Sequence, residues 1–220
     1  MNKGYIFDYG GTLDTGGHHW GKVLWHAYQR QQVPVTEEQF REAYVHAERT
    51  LGKNPIIKPD FTFRRTLEEK VRIEMDFLGV SQVQQVVDDL YERTRQMTAH
   101  SREVLMQLKA HYPMVLVSNF YGNIAVVLQE FGFDGIFQSI IESAVVGIRK
   151  PDPRIFTLGV EALGLQPEDV TVVGDSIDKD ILPARQAGCH TVWFKGEGWT
   201  DDPVDERQAD RVITDLTQLI

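Results

Sequence analysis

The chain has 220 residues and a formal net charge of −9, with a pI near 5.2. That length suffices for one core of typical domain size plus an inserted subdomain, and the acidity argues against nucleic acid or an anionic membrane as the main partner, because both demand a basic face. A small anionic ligand is still compatible, since a few Lys and Arg in a crevice bind phosphate inside an acidic shell. The lone cysteine, Cys189, forbids an intramolecular disulfide and suits a reducing compartment. Between Gly188 and the run His190-Thr191-Val192-Trp193-Phe194 it reads as a small buried hydrophobe. No apolar stretch approaches membrane-spanning length and no apolar leader precedes the first strand, so a soluble cytoplasmic protein is expected.

In chain order, Tyr5-Ile6-Phe7 predicts a first strand, ended by Asp8 and the turn Tyr9-Gly10-Gly11-Thr12-Leu13. A long helical stretch follows. Trp20, Val23, Leu24, Ala27 and Tyr28 fall at helical spacing, and Phe40, Ala43, Tyr44 and Ala47 repeat it. Thr36 with Gln39 forms a capping box. Thr66 with Glu69 and Ser81 with Gln84 predict two more, starting helices that carry Leu67, Val71, Met75 and Leu78, then Val83, Val86, Val87, Leu90 and Tyr91. Four amphipathic helices make a small bundle of their own, placed at residues 17–99.

From Ser101 onward helix and strand alternate, the pattern of an α/β, doubly wound, Rossmann-like parallel sheet. Val104, Leu105 and Leu108 precede the strand Met114-Val115-Leu116-Val117. Ile124, Val127, Leu128 and Phe131 follow it, with Gly132 as C-cap. Asp152 and Pro153 read as N-cap and first residue of a helix that stops near Gly164. Further strands are expected at Val170-Thr171-Val172-Val173, His190 to Phe194 and Arg211-Val212-Ile213, then a short terminal helix.

Asp8 puts a carboxylate on a tight, backbone-rich loop of the kind that holds phosphate. Three later features each sit just past a predicted strand: Ser118-Asn119, Lys150 at the head of Lys-Pro-Asp-Pro, and Gly174-Asp175-Ser176. In an open α/β sheet such loops, from non-adjacent strands, converge on one crevice. The inventory there is two carboxylates, a hydroxyl and an ammonium. It suits metal-assisted phosphoryl transfer, with Asp8 as nucleophile, Asp8 and Asp175 as hard ligands for Mg²⁺, and Lys150 and Ser118 neutralising phosphoryl oxygens.

At these residues the chain resembles the haloacid dehalogenase superfamily, whose four motifs are matched in order. They run from Ile6-Phe7-Asp8 through Ser118 and Gly147-Ile148-Arg149-Lys150-Pro151-Asp152-Pro153 to Gly174-Asp175-Ser176 and Asp180-Ile181. The resemblance implies a hydrolase with a helical cap inserted after the first motif. It also implies substrate binding by Gly11, Thr12, Ser118, Asn119 and Lys150, the backbone N–H groups of Gly11 and Thr12 forming an anion nest. The Gly10 carbonyl would join the metal ligands. Asp180 would bind a metal-held water or orient Lys150, the plain alternative being a helix N-terminal Asp.

One position departs from the pattern. Phosphatases of this superfamily usually carry a second aspartate two residues after the nucleophile as general acid and base, and here that residue is Gly10. The loss of such a group costs ~10²–10⁴ in rate. The expected function is therefore a Mg²⁺-dependent phosphatase of a small phosphorylated metabolite. The alternatives are a C–P or C–halogen bond hydrolase, or a weakened domain that binds a phosphometabolite. His18 or His19 is a possible substitute proton donor, or the segment is a hinge. Lys53 is a cap-loop lysine of the kind used for a Schiff base in C–P hydrolysis, and Arg64 and Arg65 either read a second anionic group or lie in solvent.

Overall fold

The computed structural model describes residues 3–220; Met1 and Asn2, the start of the run expected to lead into the first strand, lie outside the described residues. Strand β1 (Gly4–Phe7) is followed by four helices, α1 (Trp20–Arg30), α2 (Glu37–Lys53), α3 (Phe63–Leu78) and α4 (Val83–Lys109). Then come β2 (Met114–Ser118), α5 (Ile124–Glu130), β3 (Ser139–Glu142), α6 (Ser143–Val146), α7 (Arg154–Leu163), β4 (Val170–Gly174), α8 (Leu182–Gln186), β5 (His190–Phe194) and β6 (Arg211–Ile213). The six strands form one sheet in the order β3-β2-β1-β4-β5-β6, and every pair is parallel.

Parallel strands covered on both faces need apolar side chains at every position. In β1, Tyr5 and Phe7 join the cluster that continues into α1 to α4, while Ile6 points the other way, onto Val115, Val117, Phe156 and Val160. The chain order reverses beside β1: β2 and β3 lie to one side, β4, β5 and β6 to the other. A crevice opens at the carboxyl ends of strands where the order reverses. The loops after β1, β2 and β4 meet there. These three strands are immediate neighbours, rather than the non-adjacent set expected from the chain order.

Several helix starts differ from the capping pattern. Thr36 and Gln39 do form the reciprocal box at α2. Helix α3, however, begins one turn before the predicted Thr66: Thr62 Oγ1 accepts from Arg65 N, and Thr66 sits inside the helix, donating to the Thr62 carbonyl. Buried Phe63 draws the start forward, because its ring packs on Trp20 and Phe131. Ser81 caps nothing: α4 starts at Val83 behind Gln82, with no side-chain cap. At α7 the cap is Pro153, and Asp152 reaches the Arg154 N–H from one residue further out. Glu130 ends α5 behind Phe131, with Gly132 one position beyond at φ +74°.

The inserted region expected at 17–99 has no break at its distal end. Residues 92–103 contain neither Gly nor Pro, so α4 runs unbroken through 27 residues from the inserted helices into the sheet domain. Lys150, too, does not follow a strand directly, because α6 and Gly147 stand between β3 and the loop that carries it.

Candidate active site

Asp8 ends β1, and its N–H donates to the Val173 carbonyl of β4, which fixes the start of the turn. The turn closes on itself, with Thr12 N and Leu13 N both donating to the Tyr9 carbonyl. Gly11 has φ +100°, and a Cβ there would lie 2.5 Å from the Asp175 carboxyl, so glycine lets the two motif loops touch. Its N–H donates to Asp14 Oδ1 at 2.7 Å. The backbone N–H groups of Gly11 and Thr12 are thus taken up within the turn, rather than forming the anion nest expected of them. What Thr12 offers is its hydroxyl, 3.1 Å from both Asp8 Oδ2 and Asp175 Oδ1.

Lys150 is the hub. Its Nζ donates to Asp8 Oδ1 at 2.5 Å, to Asp180 Oδ1 at 2.7 Å and to the Val117 carbonyl at 3.3 Å. Its loop is tied by Asn119, whose amide accepts from Lys150 N and donates to the Lys150 carbonyl. Burial alone would lower the Lys150 ammonium, but Asp180 and Asp8 outweigh it and hold the group above the ordinary lysine range. Asp180 is fixed from the other side by the Ser176 N–H at 3.0 Å, so one of its oxygens faces Lys150 and the other the loop after β4.

Carboxylate oxygens of Asp8, Asp175 and Asp180 all lie within 4.8 Å of one another. Three such groups face one ammonium. Burial raises Asp8 to about 6 despite Lys150, and burial together with Asp180 and Asp8 pushes Asp175 well above the carboxylate range. A hard cation among these oxygens would relieve that repulsion. Ser118 closes β2 with its Oγ fully buried and without a hydrogen-bond partner among the described residues. A buried hydroxyl left unsatisfied is costly, and a phosphoryl oxygen would satisfy it.

Asp8, Lys150, Asp175 and Asp180 floor a cavity of about 170 Å³ whose roof comes from the inserted helices. His19, Trp20, Tyr44, Glu48, Phe63 and Lys70 line it from above. Glu48 Oε1 accepts from Lys70 Nζ at 2.5 Å and from Tyr121 OH at 3.2 Å, and Lys70 also lies 4.5 Å from the Tyr44 ring centre.

Above Gly10 there is room, for a Cβ there would meet only the Trp20 indole at 3.9 Å. Trp20 Nε1 donates to Asp14 Oδ2 at 2.9 Å. Asp14, buried and also lining the cavity, is raised to about 8 chiefly by burial, so it holds its proton well above the usual carboxylate range. The sequence offered no sign of it beyond an Asp after Leu13, an ordinary turn residue.

Other expected residues are elsewhere. His18 lies outside the cavity lining and accepts from Glu197 N. His19 lines the cavity, but its Nδ1 caps α1 by accepting from Gly21 N, and burial lowers it to about 4. A neutral imidazole so committed is a poor acid. Lys53 ends α2 beside a different cavity. Arg64 pairs with Asp88 and Arg65 with Glu68 and Glu69, on the outer face of α3.

The chain is similar to several known proteins. A glyceraldehyde 3-phosphate phosphatase of Pyrococcus furiosus is 36% identical over 88 residues, covering 40% of this chain and 37% of that protein. A phosphoserine phosphatase of Thermus thermophilus is 39% identical over 83 residues, 38% of this chain and 32% of that one. These two matches thus span only about a third of each relative. A phosphoglycolate phosphatase of Vibrio vulnificus aligns over 192 residues, 84% of this chain and 80% of its own, at 27% identity. Among solved structures, a 2-haloacid dehalogenase from Pseudomonas syringae superposes over 100% of this chain and 96% of its own, with TM-score 0.53 and 23% identity. A putative hydrolase from Bacillus subtilis, solved with magnesium, covers 99% and 96% with TM-score 0.59 and 16% identity. The haloacid dehalogenase-like hydrolase family matches residues 2–188, and the chain belongs to it.

Proposed function

We propose that the chain is a Mg²⁺-dependent phosphatase of a small phosphorylated metabolite, acting through an aspartyl phosphate on Asp8. The observation that carries this is the pairing of Lys150 with Asp8 beside the orphaned Ser118 hydroxyl, which together make a phosphoryl pocket around a nucleophile. Named phosphatases among the relatives point the same way. The carboxylates of Asp8 and Asp175 and the Gly10 carbonyl supply the hard oxygens that Mg²⁺ prefers. When bound, the cation would offset the negative charge of both nucleophile and phosphoryl group.

Asp8 attacks phosphorus, and its bond to the leaving oxygen breaks as the new one forms. Lys150 and Ser118 hold phosphoryl oxygens in line, while Asp180, Asn119 and the Val117 carbonyl keep Lys150 in place. The helices α1 to α4 act as a cap that shields the bond from water and receives the leaving group. Gly10 contributes no carboxyl, so leaving groups that depart unprotonated are favoured.

The C–P alternative loses its lysine. Lys53 borders another cavity, and Lys70, which does line this one, stays protonated against Glu48 and is no amine nucleophile. A screen of phosphate monoesters, phosphonoacetaldehyde and 2-haloacids with and without chelator tests the proposal. Phosphate release that needs Mg²⁺ and disappears in Asp8→Asn is expected; full turnover in excess chelator would refute it.

A further inference from the structure

The cavity above Asp8 shares a wall with a second one. This second cavity, of about 430 Å³, lies between the inserted helices and the sheet domain, and Phe120, Tyr121 and Arg149 line both. Residues that border two cavities at once form the partition between them. Arg149 is exposed, so its side chain can move aside, whereas Phe120 and Tyr121 are partly buried in the segment that follows β2. Beyond them the second cavity has an apolar side, with Leu51, Pro55, Ile57 and Ala144 in its lining.

The partition is fastened at both ends. On one side the Asn119 amide is locked to the backbone of Lys150, accepting from its N–H and donating to its carbonyl. On the other, Asn123 Nδ2 donates to the Phe61 carbonyl at 2.8 Å and to Thr66 Oγ1 at 2.9 Å, both on the inserted region. Between these ties the Phe120 ring meets Tyr121 with centroids 5.4 Å apart and Tyr9 edge-on at 5.9 Å. The Tyr121 ring packs against the small cluster of Ala47, Leu51, Ile57 and Ile73, and its hydroxyl donates to Glu48 Oε1 at 3.2 Å. Lys70 fixes that same oxygen at 2.5 Å. The buried Glu48–Lys70 pair, which a phosphoryl group does not explain, thus holds Tyr121. A side chain locked by packing and by a supported hydrogen bond excludes by shape rather than swinging away.

Resting on the phosphatase proposal, we infer that Tyr121 is a specificity-determining residue: its ring limits the length of the leaving group and restricts the enzyme to phosphate esters of compact alcohols and phenols. The site cavity, at about 170 Å³, is well below the roughly 300–1,000 Å³ of sites that take larger ligands, and the second cavity would bring it into that range were the partition removed. Glu48 and Lys70 position the ring and take no part in the bond-breaking step.

The test compares kcat/KM in Mg²⁺ for phenyl phosphate and 4-biphenylyl phosphate, whose leaving groups are nearly equal in acidity, so that the proton question raised by Gly10 cancels. Wild type should favour phenyl phosphate by ~10–100-fold, the range that over-packing against a fixed wall costs. In Tyr121→Leu, which keeps an apolar contact with the cluster but removes the ring, that ratio should fall towards one. Tyr121→Phe, which keeps the ring and loses only the bond to Glu48, should lower it by less. Wild type that hydrolyses both esters equally overturns the inference without any variant, and so survives a misfolded one. A ratio unmoved in folded Tyr121→Leu, or an equal fall in Tyr121→Phe, overturns it too, while leaving the phosphatase intact. If no ester is hydrolysed, the phosphatase proposal fails instead, and calorimetric binding of phenylphosphonate against 4-biphenylylphosphonate then decides the wall: tighter phenylphosphonate supports it, and equal affinity or tighter biphenylylphosphonate overturns it.

Discussion

The floor and the roof of the cavity are built in opposite ways. The floor residues sit at or beside ordered elements of the sheet domain: Asp8 after β1 and Asp175 after β4, with Lys150 held by Asn119 and Ser118 buried at the end of β2. The roof is assembled from side chains on different inserted helices, Glu48 from α2 and Lys70 from α3, meeting only through tertiary packing. The groups around the nucleophile are thus anchored on rigid strand ends, and those above it on inserted helices.

The comparison predicts that floor changes abolish turnover whereas roof changes redistribute it among substrates. Asp8→Asn should lower kcat by ~10⁴ or more on every ester, since nothing replaces the nucleophile. A uniform loss of that size from Glu48→Gln would erase the distinction. Next in size is Gly10→Asp. The space above Gly10 is open apart from Trp20, so the new carboxyl should raise alkyl phosphate hydrolysis by up to ~10²–10⁴ and narrow the preference for aryl esters. If the wild type already hydrolyses alkyl and aryl esters equally, another group delivers the proton. Asp14, the carboxyl in the lining that burial raises to about 8, is then the first to replace.

Floor and roof also differ in stability. Lys150→Met would leave Asp8 and Asp180 buried without their cation, and denaturant unfolding should show a loss of ~3–5 kcal/mol unless Mg²⁺ is supplied. Behind the roof, Glu74 is fully buried, accepts from Tyr28 OH on one oxygen, has no partner on the other and is raised to about 7 by burial. The folded state therefore binds its proton more tightly than the unfolded state, where the value is near 4.5. The stability this provides is complete below that value and is lost as pH rises through about 7. Glu74→Gln should match wild type near pH 5 and exceed it by up to ~3 kcal/mol near pH 8. The smallest effects belong outside the cavity: Lys53→Ala and Arg64→Ala should leave the substrate profile unchanged and move stability by ~0.5 kcal/mol or less.

The same contrast explains what could be read before the fold was known. Asp8, Ser118 and Asp175 were legible because an apolar run ending in a polar residue, with a glycine close by for Asp8 and Asp175, marks a strand end by local chemistry alone. Gly10 as a gap was equally plain. Lys70 was not, because a lysine within a run of Arg and Glu on an amphipathic helix normally faces solvent, and only packing of α2 on α3 turns it inward. Arg64 and Arg65 drew attention for the same reason in reverse, being cations already paired outside the cavity with Asp88, Glu68 and Glu69. The anion nest failed on hydrogen bonding: Asp14 claims the Gly11 N–H, a three-residue contact that a turn signature does not reveal.

The most direct test of the account is to trap the covalent intermediate. Wild-type enzyme mixed with substrate and Mg²⁺ should be quenched in acid within the first turnovers, digested and examined by mass spectrometry. The account predicts one phosphoryl group on the peptide that contains Asp8, at that residue, and none in Asp8→Asn. Steady phosphate release with Asp8 unmodified, or a phosphoryl group on any other residue, would contradict it.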